Sequence, residues 1–76
     1  MNDLEIATGV VMAAHIALEY AMKRNEIDIR YYEHGSRAAT CAKANKVNLD
    51  EAHSLIAKAS RILDDARARH SRMIEN

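Results

Sequence analysis

Two segments of the chain repeat a large aliphatic residue followed three positions later by alanine, once in every seven residues. Alternating spacings of three and four residues are typical of the seam along which α-helices pack together, here with the large residues at heptad position a and the alanines at d. The two seams are Leu4, Ala7, Val11, Ala14, Leu18 and Ala21, and Leu49, Ala52, Ile56, Ala59, Leu63 and Ala66. The pattern predicts an all-α protein in which helix backbones approach closely, because alanine is small.

Three asparagines predict three helix starts. Asn2, Asn25 and Asn48 each precede an apolar periodic run, and each has an acidic residue three positions later. This pattern is a variant of the capping box, in which the side chain before a helix accepts a hydrogen bond from the first turn. We therefore predict one helical domain over residues 1–76, with helices at about 3–23, 26–45 and 49–74.

Gly35 lies inside the second predicted helix and allows two interpretations. An isolated glycine costs a helix only about 1 kcal/mol relative to alanine, which favours one continuous helix. In the alternative, the helix ends at Gly35 and Ser36 caps a new one.

The short chain favours oligomerisation. A domain of 76 residues buries only about 60–65% of the surface that its unfolded chain exposes. Cys41 is the only cysteine, so an internal disulfide is excluded. Three helices joined by short links would place the first and third parallel, whereas we expect alanine seams to pair between antiparallel helices. The predicted architecture is therefore a three-helix antiparallel chain whose seams pair across a homodimer.

The first predicted helix is apolar on almost every side, a pattern typical of a helix that is central in an assembly. Its longest apolar run, residues 6–22, is interrupted by His15 and Glu19, so we predict no bilayer span. The N-terminus also lacks the basic flank of a secretory signal. The expectation is a cytoplasmic protein with no membrane partner.

The sequence offers little support for catalysis. A glycine-rich phosphate loop, a nucleophile elbow and an HExxH helix are all absent from it. His34 and Cys41 share a helical face but lie about 10 Å apart along it, which is too far for a thiolate–imidazole pair. We therefore predict a non-enzymatic protein without catalytic residues and without a cofactor.

Aromatic and basic side chains cluster in the second predicted helix and form the predicted binding surface for another protein. Tyrosine and arginine dominate interface hot spots, because each buries a large area while keeping a polar group. A histidine in the set could add sensitivity to pH. The predicted surface consists of Arg30, Tyr31, Tyr32, His34 and Arg37. The favoured function is that of a small regulator or inhibitor acting through protein–protein interaction.

Two other functions remain open. The first is nucleic-acid binding by a dimer that presents its C-terminal basic residues to phosphates. Those residues are Arg67, Arg69, His70 and Arg72, although the zero formal charge of the chain gives no overall attraction to nucleic acid. The second is a small-ligand or nucleotide site between subunits of the oligomer.

Four residues have spacings that can build a metal site in a helical bundle. His15 and Glu19 are four positions apart, and Asp50 and His53 are three apart. Histidines scattered through a helical chain commonly serve as polar packing residues, so no metal site is predicted.

Overall fold

The computed structural model describes residues 2–75, which form two long helices in an antiparallel hairpin. Helix α1 is Asp3–Tyr31 and helix α2 is Arg37–Glu75, joined by residues 32–36. The described residues form a rod of 61 × 17 × 14 Å. The all-α prediction is confirmed, whereas the predicted three-helix chain is wrong.

The predicted start of α1 at Asn2 is confirmed. The Asn2 side chain accepts a hydrogen bond of 2.8 Å from the backbone N–H of Glu5. Asp3 and Glu5 place two acidic side chains in the first turn, where they stabilise the positive end of the helix dipole.

Asn25 and Asn48 start no helix, which corrects the predicted helix bounds. Asn25 lies within α1 and is only 8% exposed, and its Nδ2 donates a hydrogen bond of 2.9 Å to the Ala42 carbonyl of α2. Asn48 is an exposed residue within α2. A capping preference is worth about 1 kcal/mol and does not end a helix by itself. With no glycine or proline beside Asn25 or Asn48, the backbone keeps its helical hydrogen bonds.

The chain reverses at Gly35, where the favoured prediction of a continuous helix is wrong. Gly35 has a φ of +84°, a left-handed conformation that glycine adopts without steric cost. The next residue, Ser36, accepts a hydrogen bond of 3.1 Å on its Oγ from the backbone N–H of Ala39. The alternative, in which Ser36 caps a new helix after Gly35, is confirmed.

Alanine substitutions at the two glycines are expected to change stability in opposite directions. Apart from the adjacent residues and, for Gly9, the nearby backbone of its own helix, no heavy atom of the described chain lies within 4 Å of a Cβ added at Gly9 or Gly35. The two substitutions are therefore not expected to differ through steric clashes. Gly35→Ala is expected to cost about 1 kcal/mol because alanine must adopt a positive φ. Gly9→Ala, inside α1, is expected to gain about 1 kcal/mol. Urea denaturation of both variants measures the difference, and equal stability would contradict the turn described here.

The two alanine seams pair within one chain. Every seam residue of both segments is half-buried, in line with contact along the length of the hairpin. The prediction that the seams require a second chain is wrong, because two helices with one reversal already run antiparallel. The homodimer predicted through these seams is therefore not supported.

The core between the helices is small. Among the described residues, the buried apolar side chains are Ala39 and Ala42, at 2% and 4% exposure, and no large side chain is fully buried. Near this core, Nζ of Lys46 lies 3.3 Å from Oε1 of Glu26 and 3.2 Å from Oδ2 of Asp50. The hydrogen bond with Asp50, followed by that with Glu26, raises the pKa of Lys46 above its usual 10.5. The Lys46–Glu26 pair therefore joins the two helices as a surface ion pair, with each side chain about half exposed.

Candidate functional sites

One side of the hairpin exposes a continuous apolar surface, here called the apolar face. On α1, exposed apolar residues recur at alternating spacings of four and three residues, forming a second stripe at heptad positions c and g. On α2, exposed leucine and isoleucine occupy g positions, and the g positions of two antiparallel helices flank their seam on the same side. The apolar face consists of Ile6, Val10, Ala13, Ala17 and Tyr20 of α1 and Leu55 and Ile62 of α2.

The register of the hairpin brings the two parts of the apolar face together. His15 and His53 lie opposite each other, with ring centroids 4.5 Å apart. Counting from this pair in opposite directions along the two helices places Leu55 level with Ala13, and Ile62 level with Ile6. The stripe on α1 ends beyond Tyr20, because the next g position is the exposed Arg24.

The hairpin exposes more surface than a compact chain of its size. Its accessible surface is 6033 Å², whereas a compact monomer of the same mass exposes about 4,650 Å². The excess is about 1,400 Å², and a standard interface buries about 800 Å² on each partner. The surface left uncovered is therefore large enough for a complete dimer interface.

Helix α1 is long and apolar enough to cross a membrane by length and composition. Its most apolar 18-residue segment has a mean hydropathy of 1.3, and 6% of that segment is buried in the hairpin. His15 and Glu19, the basis for predicting no bilayer span, lie within this helix. Core helices of soluble proteins share the same length and apolar composition.

All five residues of the predicted binding surface lie at the tip of the hairpin. Together they are here called the tip cluster. Arg30 and Tyr31 end α1, Tyr32 and His34 lie in the connection, and Arg37 begins α2. All five are exposed. The rings of Tyr31 and Tyr32 meet edge to face with centroids 5.6 Å apart. The sharp reversal at Gly35 thus presents two aromatic and two guanidinium groups at one end of the rod.

A histidine cluster lies at the middle of the hairpin, on the flank opposite the apolar face. His15 and Glu19 project from α1 and His53 from α2, and one ligand atom of each lies within 4.8 Å of the others. Nδ1 of His15 is 3.3 Å from Oε1 of Glu19. The two imidazole rings are stacked with an interplanar angle of 28°. Asp50, the fourth residue with suitable spacing in the sequence, pairs with Lys46 instead.

The C-terminal basic residues do not share one face of α2. Successive residues of a helix turn by about 100°, so Arg67 and Arg69 project to opposite flanks. Arg67 is paired with Asp64 at 3.9 Å, and His70 is half-buried. The arrangement gives no continuous basic stripe for a phosphate backbone.

Comparisons with known proteins return no match. No family model matches the chain, and neither the curated proteins nor the solved structures searched contain a significantly similar sequence or fold.

Proposed function

We propose that this protein acts without catalysis, as a homodimer of helical hairpins that docks onto another protein through its tip clusters. The observation that carries the proposal is the large uncovered surface of a chain whose own core is small. The apolar face supplies the contact between copies, and the tip cluster supplies the contact with the partner. We expect the docked dimer to regulate or inhibit that partner.

The charges beside the apolar face fit contact with a second copy of this chain better than contact with a bilayer. Exposed residues of both signs, Glu51, Lys58 and Asp65, alternate along the edge of α2 beside Leu55 and Ile62. An apolar center with a mixed polar rim is typical of protein interfaces. Helices that lie on a bilayer usually carry a basic polar face instead. Two-fold dimers are also the commonest oligomers, and the excess surface of about 1,400 Å² exceeds the roughly 800 Å² that one partner buries in a standard interface.

Dimerisation through the apolar face leaves the tip cluster accessible. Tyr20 precedes Tyr31 by eleven residues, which corresponds to about 16 Å along a helix. Each dimer therefore presents two tips. Tyr31 is 81% exposed and Tyr32 is 40% exposed, and rings of this kind become hot spots when a partner covers them.

Quantitative affinity capture from the native host tests the docking function. We expect the wild-type chain to retain one protein in stoichiometric amount, and the double variant Tyr32→Ala with Arg37→Ala to lose it while keeping its helical content and its mass in solution. The matched control replaces Arg72 and Met73 with alanine at the other end of the rod, where both are exposed. We expect the control to retain the partner. Equal capture by the tip variant and the wild type would contradict the assignment of the tip cluster.

No feature of the described residues favours nucleic-acid binding over this proposal, since the C-terminal basic residues diverge around α2.

A further inference from the structure

We propose that His15, Glu19 and His53 form a binding site for a divalent transition-metal ion, with Zn²⁺ as the best chemical match. The site joins the two helices at the middle of the hairpin. It is independent of the proposed dimer and of the tip cluster, because it lies on the other flank of the molecule.

The spacing of the side chains fits a single ion. Zinc binds imidazole nitrogen and carboxylate oxygen at about 2.0–2.2 Å, so two ligands at a tetrahedral angle lie about 3.3 to 3.5 Å apart. The observed distance from Nδ1 of His15 to Oε1 of Glu19 is 3.3 Å. All three ligand atoms lie within 4.8 Å of one another. Because the two imidazole rings are stacked with an interplanar angle of 28°, the His53 ring must turn before its nitrogen points at the same ion.

The ligand types select the class of metal. Two imidazoles and one carboxylate suit zinc and its first-row neighbours, whereas calcium and magnesium prefer oxygen ligands alone. Three protein ligands leave a fourth tetrahedral position for water. The half-buried histidines and the exposed glutamate place that position toward solvent.

The backbone brings the three ligand residues close together before an ion binds. His15 and Glu19 are one helical turn apart on α1, where residues four apart are neighbours. His53 is brought opposite them by the register of the hairpin, with its ring stacked on that of His15 at 4.5 Å. An ion bound to both helices would favour the folded hairpin over the unfolded chain, because the unfolded chain does not hold the site together.

Zinc titration of the full chain after chelator treatment tests the site. Isothermal titration calorimetry is expected to give one Zn²⁺ per chain, and zinc is expected to raise the thermal midpoint, while the same concentration of Mg²⁺ is not. Removal of a residue that only hydrogen-bonds to a metal ligand weakens metal binding roughly tenfold to hundredfold. Because His53 would bind the ion directly, His53→Ala is expected to weaken zinc binding by more than this. His70→Ala is the matched control, since it changes another half-buried histidine of α2, and is expected to bind zinc as the wild type does.

Cobalt provides a second measurement that does not depend on stability. Co²⁺ bound at the site is expected to give the visible absorption of a four-coordinate ion in the wild type and in His70→Ala, and to lose it in His15→Gln and in His53→Ala. Circular dichroism verifies that each variant is helical. Zinc affinity that is the same in His53→Ala and the wild type would overturn the proposal, as would a cobalt spectrum that survives both ligand substitutions.

Discussion

Replacing Ala42 with leucine is expected to lower the free energy of unfolding by about 3 kcal/mol. Ala42 is 4% exposed, and its carbonyl accepts the hydrogen bond from Asn25 that joins the two helices at 2.9 Å. Overpacking of a closely packed site costs about 1–3 kcal/mol, and a buried amide left without its partner costs a similar amount. Leucine would push the helices apart beside one of the two buried apolar side chains of the described core.

Ala44→Leu is the matched control for this substitution. Ala44 is exposed two residues further along α2, so the same change in side chain alters helix propensity without entering the seam. We expect its effect to stay within about 0.5 kcal/mol. Urea denaturation at one fixed protein concentration compares the variants, because the stability of a dimer depends on concentration. Equal destabilisation by the two substitutions would contradict the close contact at Ala42.

Replacing Val10 with glutamate is expected to dissociate the proposed dimer. Val10 lies within the apolar face and is 64% exposed in the single hairpin. Burying a valine side chain contributes about 1.5 kcal/mol or more, and a two-fold dimer contains the site twice. The loss of about 3 kcal/mol corresponds to a dissociation constant raised at least about 100-fold. A carboxylate placed in the interface adds to this loss, because it is costly to bury unpaired.

Val47→Glu separates this effect from a general effect of added charge. Val47 is 67% exposed and lies outside the apolar face, on the outer surface of α2. Sedimentation velocity over a range of concentrations is expected to show a weakened dimer for Val10→Glu and an unchanged one for Val47→Glu. If Val10→Glu dimerises as tightly as the wild type, the apolar face is not the interface.

The sequence predicted the packing positions well but not the connectivity. The heptad pattern located the residues that form the seam, since side-chain spacing on a helix is a local property. The predicted number of helices depended on helix caps at Asn25 and Asn48. The capping preference of a single asparagine is too weak to interrupt a continuous helix. Asn25 instead uses its side chain across the hairpin, a contact between residues 17 positions apart that no local pattern reveals. The predicted chain had two reversals instead of one. The prediction therefore paired the seams between two chains rather than within one chain.

The candidate sites were predicted in part. The tip cluster is contiguous in sequence, and the structure gathers it at the turn. Because the first predicted helix is apolar on almost every side, the sequence already indicated a helix that is central in an assembly. The histidine cluster could not be predicted from local spacing alone. The spacing of His15 and Glu19 brings these two side chains together, but only the register of the hairpin places His53 beside them. Asp50 is not part of the set, because it pairs with Lys46 one turn earlier on the same helix.

The mass of the wild-type chain in solution tests the central claim most directly. Multi-angle light scattering at micromolar concentrations is expected to give twice the chain mass of 8.5 kDa, as a dimer with its apolar faces covered requires. A mass of 8.5 kDa across the whole concentration range would contradict the proposed dimer.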